Sequence, residues 1–384
     1  MYSSRPKIGI LVFLEEDCGG VFQYAQSMID ALPKNSRFQF VVFTKKGGKQ
    51  FNCGEHEIRV IDIKSNFFDK LFRFFKLLFL TKYFPVVSKV FSHFNEINFF
   101  VSPVISPFPH FFLNKPFVFT LHDMQERHLP HFFSYIERTK RFILNRALLS
   151  TARAVICESG FIKQDIIHFS GICKNKVYVI KAPPVVLNGN GLSSVSSDKI
   201  KCKYKIPDNF IFYPAQLWPH KNHKLLIRAF LRVKEKHSDL KLILTGTRNG
   251  NYKELQRFIK ELRLENSVLH FGYVSQEDLQ YFYLFSKMLI MPTLFESLSI
   301  PIYEALVLGV PVCASRIDSL VEQAEGACVF FDPNDYKDIA NKIIFILDNP
   351  DFVQNLRRNG FQLMASINQI EYSAQLESVL EYCV

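Results

Sequence analysis

An α/β fold of two doubly wound, Rossmann-like domains is what this sequence predicts, and three observations predict it. The chain has 384 residues, long enough for two domains of ordinary size. Strand-like apolar runs alternate with helix-like amphipathic runs almost from end to end, which leaves little of the chain for disorder. That alternation breaks once, across residues 183–209 (PPVVLNGNGLSSVSSDKIKCKYKIPDN), where Pro, Gly, Asn and Ser crowd together, and then starts again. Two βα series joined by a linker give two parallel sheets, each covered by helices. The domains are expected over residues 1–185 and 205–361, facing each other across a cleft, with a C-terminal helix over about 362–384 packing back on the first.

In the first domain, strands are expected at Lys7–Leu14, Phe38–Thr44, Glu57–Ile63, Phe99–Ser102, Phe117–Leu121, Ala154–Cys157 and Val177–Ile180. Each reads as apolar on both faces, as parallel strands under two helix layers must be. Helices are expected over 20–32, 67–80, 131–150 and 160–169. In the second domain the strands are Phe210–Ala215, Lys241–Thr245, Val268–Phe271, Met288–Met291, Pro311–Ala314 and Cys328–Phe330. Its helices fall near 222–237, 251–263, 276–286, 300–308 and 335–347, and residues 350–384 read as helical.

Composition narrows the partners. Forty-seven Lys and Arg against 36 Asp and Glu give a net charge of +11, which suits anionic ligands. No zinc-finger or RNP-type module is present, so nucleic acid is not an expected partner. The eight cysteines, at 18, 53, 157, 173, 202, 313, 328 and 383, form no CxxC pair and read as free thiols in a reducing compartment. The opening MYSSRPKIGILVF has too short an apolar run for a signal peptide and reads as a first buried strand, so a cytoplasmic location is expected.

Residues 67–94 (FFDKLFRFFKLLFLTKYFPVVSKVFSHF) set Phe68, Leu71, Phe72, Phe75, Leu78 and Phe79 at helical spacing, interrupted by Lys70, Arg73 and Lys76. No window approaches the roughly 18 uncharged apolar residues of a spanning helix. A basic amphipathic helix of this kind suits a membrane surface, which would place the protein peripherally on the inner face of the cytoplasmic membrane. A core helix with one solvated face, in a chain with 40 Phe, is the competing reading.

The segment MPTLFESLSIPIYEALVLGVPVCAS, residues 291–315, carries the most chemistry. Pro301 suits the first turn of a helix, where its missing N–H costs nothing, and Gly309 suits its end. Glu304 then lies one turn inside that helix and Glu296 in the loop before it. The N–H groups of Leu298, Ser299 and Ile300 would face outward at the positive helix end, a ready anion site. Two carboxylates that accept from hydroxyls beside donors for phosphate fit a nucleotide-diphosphate sugar.

Other groups fall at carboxyl ends of expected strands, where doubly wound sheets bind ligands. Gly19-Gly20 follows the first strand and lets backbone approach a phosphate, though a glycine pair also simply makes turns. His122-Asp123 ends the strand FVFTLHD; His122 could donate to a sugar hydroxyl or serve only as a cap. Lys221, in YPAQLWPHKN, can reach a diphosphate as a point charge. Tyr273-Val274 could read a nucleobase through backbone. Glu322 could hold the phosphate loop or be a surface acid.

The run from Glu296 to Glu304, with seven residues between, resembles the EX7E motif of retaining GT-B glycosyltransferases of family 4. FGYVSQEDL, VEQAEGACVFFDPND and YPAQLWPHKNHKLLIRAF resemble the group 1 glycosyltransferase domain over about 205–365, in the family's order. GGVFQYAQSMIDAL, TLHD and ICESGFIKQDII resemble its N-terminal half more loosely. The resemblance implies that Glu304 binds the donor ribose, Glu296 the transferred sugar, and the amides of Leu298, Ser299 and Ile300 sugar or phosphate. It implies that Lys221 neutralises the diphosphate, Gly20 lines the phosphates and His122 contacts the sugar near its C6 hydroxyl. It further implies a GDP- or UDP-hexose donor, no metal or other cofactor, and a glycan or lipid-linked acceptor in cell-surface polysaccharide synthesis. Two positions depart from the pattern. Leu298-Ser299 stands where Phe-Gly is usual, and Gln216 stands where an Arg is common, with His220 as a partial substitute. The rival readings are a UDP-sugar 2-epimerase of the same architecture and a non-catalytic nucleotide-sugar-binding subunit.

Overall fold

The structure is a computed structural model that describes residues 5–14, 19–48, 50–62, 94–112, 115–181, 194–248 and 250–384. The chain divides into two compact units, Met1–Val185 with Ile367–Val384, and Val186–Ser366.

In the first unit the elements run β1 (Lys7–Val12), α1 (Gly19–Asp30), β2 (Gln39–Lys45), β3 (Glu57–Ile61), β4 (Phe99–Ser102), α2 (Phe108–Phe112), β5 (Phe117–Thr120), α3 (Gln125–His128), α4 (Tyr135–Thr151), β6 (Ala154–Cys157), α5 (Gly160–Ser170) and β7 (Val177–Val179). The seven strands form a parallel sheet in the order β3-β2-β1-β4-β5-β6-β7. Its chain order reverses between β1 and β4, the switch point at which such sheets open a ligand crevice. Gly9 sits in β1 because an added Cβ would stand 2.6 Å from the Phe100 ring on β4. The expectation of strands apolar on both faces fails at the edge: Ile58 and Val60 of β3 are 48% and 61% exposed. An edge strand has one neighbour and incomplete cover.

The helix expected from residue 131 begins instead at Tyr135. Pro130–Phe132 form a separate 3-10 turn, and Ser134 and Glu137 close a reciprocal capping box at the α4 start. The expected helix at 67–80 and the membrane-surface stretch at 67–94, apart from Phe94, lie outside the described residues. At the C-terminus, α14 (Gln369–Cys383) belongs to the first unit, while α13 (Pro350–Ser366) belongs to the second. Tyr372, Leu376, Val379 and Leu380 are buried at helical spacing on α14. Its polar side accepts a bond from Ser36 at Glu377 and pairs Glu381 with Arg37.

The second unit runs α6 (Ser194–Tyr204), β8 (Phe210–Pro214), α7 (His223–Lys236), β9 (Lys241–Thr245), α8 (Tyr252–Glu261), β10 (Val268–His270), α9 (Gln276–Phe285), β11 (Leu289–Met291), α10 (Ile300–Val307), β12 (Val312–Ser315), α11 (Asp318–Ala324), β13 (Val329–Phe331) and α12 (Tyr336–Asp348), then α13. The six strands are parallel in the order β10-β9-β8-β11-β12-β13. Here the order reverses between β8 and β11. Helix α6 lies inside the stretch expected to be a linker. The Pro and Gly that punctuate the stretch stop at Gly191 and resume at Pro207, which leaves an uninterrupted helical run. Lys203 and Tyr204 anchor its end by bonding Asp278 at 2.6 and 2.8 Å.

Among the described residues no helix is long and apolar enough to cross a membrane, and no cluster of His, Cys, Asp and Glu could hold a metal ion. The described cysteines are free thiols; Cys53, Cys157, Cys313 and Cys328 are buried.

Candidate functional site

The carboxyl ends of β8 and β11, the two strands at the switch point, carry Lys221 and Glu296. Lys221 ends a 3-10 turn after β8, and Asn222 reverses the chain into α7 with φ +59°. The Asn222 amide bonds the carbonyls of Pro292 at 3.0 Å and Pro333 at 2.8 Å, which ties this turn to the loops after β11 and β13. Leu294 N–H donates to the His220 carbonyl at 2.8 Å, and Tyr213 O–H to the Lys221 carbonyl at 2.8 Å. Held from these sides, the Lys221 ammonium forms an ion pair with the Glu296 carboxylate. The two side chains keep 18% and 14% of their exposure, sheltered but reachable. His223, two residues further on, is buried and its imidazole is pushed down to about 3, by burial first and then by Lys221. At neutral pH the His223 ring is therefore uncharged.

Helix α10 begins at Ile300 with Pro301 in its first turn, and Gly309 follows it at φ +67°. Glu304 is buried, and one of its oxygens accepts from the buried Tyr283 hydroxyl at 2.6 Å. The expected row of three outward amides is incomplete. Ser299 N–H donates to Gln323 Oε1 at 2.8 Å, and Gln323 Nε2 returns a bond to the Ser299 carbonyl at 2.8 Å. Leu298 and Ile300 flank it, half-buried.

On the β9 and β10 side, Gln216 Oε1 accepts from the Thr247 N–H at 3.1 Å and from the Thr247 hydroxyl, stitching the two loops together. Gly246 N–H donates to the Gly272 carbonyl at 2.8 Å. Tyr273 is 69% exposed, whereas Val274 is buried. Arg248, absent from the expected site residues, lies at this edge after β9 with its guanidinium 4.9 Å from the Tyr252 ring centre. His270 is pushed down to about 4 by burial and by Arg248. Arg248 therefore supplies the cation here, at an edge where Gln216 is neutral. Glu322 is exposed on α11.

In the first unit, His122 follows β5 as expected, but its ring is already engaged. Nε2 is 3.0 Å from the Pro103 carbonyl and Nδ1 is 2.5 Å from Glu158 Oε1. A carbonyl can only accept, so Nε2 carries a proton, and an ionised Glu158 requires a second proton on Nδ1. Burial opposes the charge, yet Glu158 overrides it and raises the His122 pKa above its ordinary value. In this arrangement both ring nitrogens of His122 are engaged within the first unit. At Gly20, in the first turn of α1, an added Cβ would meet nothing within 4 Å, so packing within the protein does not require glycine there. His128, with no assigned role in the sequence, bonds Asp165 at 2.6 Å.

Two known families divide the chain between them. Residues 18–182 match Glycosyltransferase Family 4, and residues 196–363 match the group 1 glycosyl transferases. The chain belongs to the group 1 glycosyltransferases of family 4. It is 28% identical over 208 residues to the O-antigen chain mannosyltransferase B of Escherichia coli, covering 51% of this chain and 52% of that protein. Over 236 residues it is 27% identical to the O-antigen chain mannosyltransferase RfbU of Salmonella typhimurium, covering 61% of this chain and 62% of that one. The chain thus spans about half the length of the first relative and under two thirds of the second. The solved structure of Anabaena HepE in complex with UDP and glucose superposes with a TM-score of 0.77 at 19% identity, over 98% of this chain and all of that one. That likeness concerns the fold, two Rossmann-like units of GT-B type.

Proposed function

We propose that this glycosyltransferase moves a hexosyl group from a nucleoside-diphosphate sugar to a glycan or lipid-linked acceptor in cell-surface polysaccharide synthesis. The observation that carries the reading is the Lys221–Glu296 pair at the β8/β11 switch point, beside the start of α10. Departure of the diphosphate concentrates negative charge on its oxygens. A fixed ammonium and a helix N-terminus, sheltered from water, favour that charge more in the transition state than in the ground state. Glu296 accepts from sugar hydroxyls and orients the ring, and Glu304, shaped by Tyr283, accepts from the ribose. Transfer with retention, by front-face substitution, needs no carboxylate nucleophile and no metal in this reading.

The names of the O-antigen mannosyltransferases favour a mannosyl donor, and HepE with UDP and glucose supports a nucleotide-sugar site in this fold. The reading places the enzyme at the inner face of the cytoplasmic membrane, where lipid-linked acceptors are found. The test is donor hydrolysis or transfer by the purified protein with GDP- and UDP-hexoses. Lys221→Ala and Glu296→Ala are each expected to lower kcat by roughly 100-fold or more, the scale of losing one such stabilising group. Full activity in both variants would overturn the site. Release of free epimerised sugar without acceptor would instead favour the 2-epimerase.

A further inference from the structure

We infer that Ser319 and Gln323, one turn apart on α11, form a clasp that positions the Glu296–Ser299 loop, which makes Gln323 a positioning residue for the Lys221–Glu296 pair. The inference rests on the function proposed above. Residues four apart on a helix share a face. From that face the Ser319 hydroxyl donates to the Glu296 carbonyl at 2.5 Å, and Gln323 bonds both backbone groups of Ser299 at 2.8 Å each. The clasp therefore grips both ends of the loop that presents the Glu296 carboxylate. Ser299, Ser319 and Gln323 are all at most 3% exposed, so water does not replace these bonds when they break.

The side chain is specific to the task. A planar amide offers one donor and one acceptor side by side, matching the N–H and C=O of a single residue. Only a group of this length and pattern makes both bonds at once. The clasp also occupies Ser299 N–H, so anion binding at this helix end falls to its neighbours and to Lys221. The Ser299 hydroxyl, buried without a partner among the described residues, takes no part in the grip.

The test compares Gln323→Met, which keeps length but not hydrogen bonds, with Gln323→Glu. Three readouts are taken: a thermal melt, amide hydrogen exchange at Ser299, and steady-state kinetics with the donor across pH. Gln323→Met is expected to speed Ser299 exchange and to lower kcat about tenfold or more, with little change in donor KM, because misplacement by about 1 Å can cost 100-fold. In Gln323→Glu the ionised carboxylate repels the Ser299 carbonyl, but the protonated acid restores one donor and one acceptor. Its kcat relative to the parent protein should therefore rise as pH falls, a trend the Met variant lacks. A Met variant with parental kcat, or two variants with the same flat pH ratio, would overturn the clasp. If the parent protein turns over no donor, the proposed function fails, while exchange at Ser299 still decides the clasp. Should the Met variant not fold, the pH ratio of the Glu variant decides it.

Discussion

Replacing Glu296 with Gln should push nucleotide binding and turnover in opposite directions. In the unliganded protein the Lys221 ammonium is already paired with Glu296, so a diphosphate must compete with a carboxylate for it. The worth of that competition can be bounded. Two unit charges about 4 Å apart attract by about 4 kcal/mol at an effective dielectric of about 20. A fully exposed pair contributes only about 0.2–1 kcal/mol. With 18% and 14% of their exposure left, these side chains fall between the limits. A net competition of about 1–2 kcal/mol then corresponds to roughly 5- to 30-fold in affinity. Gln keeps the size of Glu and one acceptor oxygen, but it replaces the other with a donor NH2 and removes the charge. Calorimetric titration with the nucleoside diphosphate alone should show Glu296→Gln binding more tightly than the parent by that factor, while its turnover of the full donor falls. Equal or weaker binding by the variant would refute the claim that Lys221 is the diphosphate's partner.

Three further outcomes follow from the same structure. Tyr283→Phe removes a 2.6 Å bond to the buried Glu304 carboxylate and should lower stability by about 1.5–3 kcal/mol in urea unfolding; a change below about 0.5 would contradict the pairing. Gly309→Ala places a Cβ at φ +67°, 2.7 Å from the Phe361 ring, and should cost about 1–2 kcal/mol by the same measurement. The His122 pKa, read by NMR titration, should lie above 6.5 and fall below it in Glu158→Gln, where only the smaller effects of Asp123 and the Pro103 carbonyl oppose burial. Because the folded value is the raised one, the His122 contribution to stability is complete below about pH 6.5 and is lost as pH climbs through the folded pKa.

The parallel sheets were legible because buried strands appear as short apolar runs between Gly, Pro and Asn. Phe99–Ser102 and Lys241–Thr245 match the expected bounds to the residue. The exposed face of β3 was not legible, since nothing in the run Glu57–Ile61 says that it lies at an edge. Helix α6 was hidden by the Pro- and Gly-rich residues before it, which set the composition of the whole stretch. Lys221 and Glu296 could be placed because each follows a strand and precedes a helix, where chain punctuation is strongest. Their mutual pairing spans 75 residues and leaves no local pattern. The same holds for Gln323 on Ser299, for Tyr283 on Glu304, and for Pro103 and Glu158 closing on His122. Arg248 had the strand-edge position of a site residue, and its cue was the basic side chain after LTGT.

The central claim is that Lys221, at the switch point of the second unit, holds the diphosphate of a sugar donor. Thermal melting of the parent protein and of Lys221→Ala, across a panel of UDP-, GDP- and ADP-hexoses, tests it most directly. A ligand at about 100 times its Kd adds about 2.7 kcal/mol of stability, which is easily read as a shifted midpoint. The account predicts that at least one donor raises the midpoint of the parent protein and that Lys221→Ala loses most of that rise. No shift with any donor, or an equal shift in the variant, would contradict it.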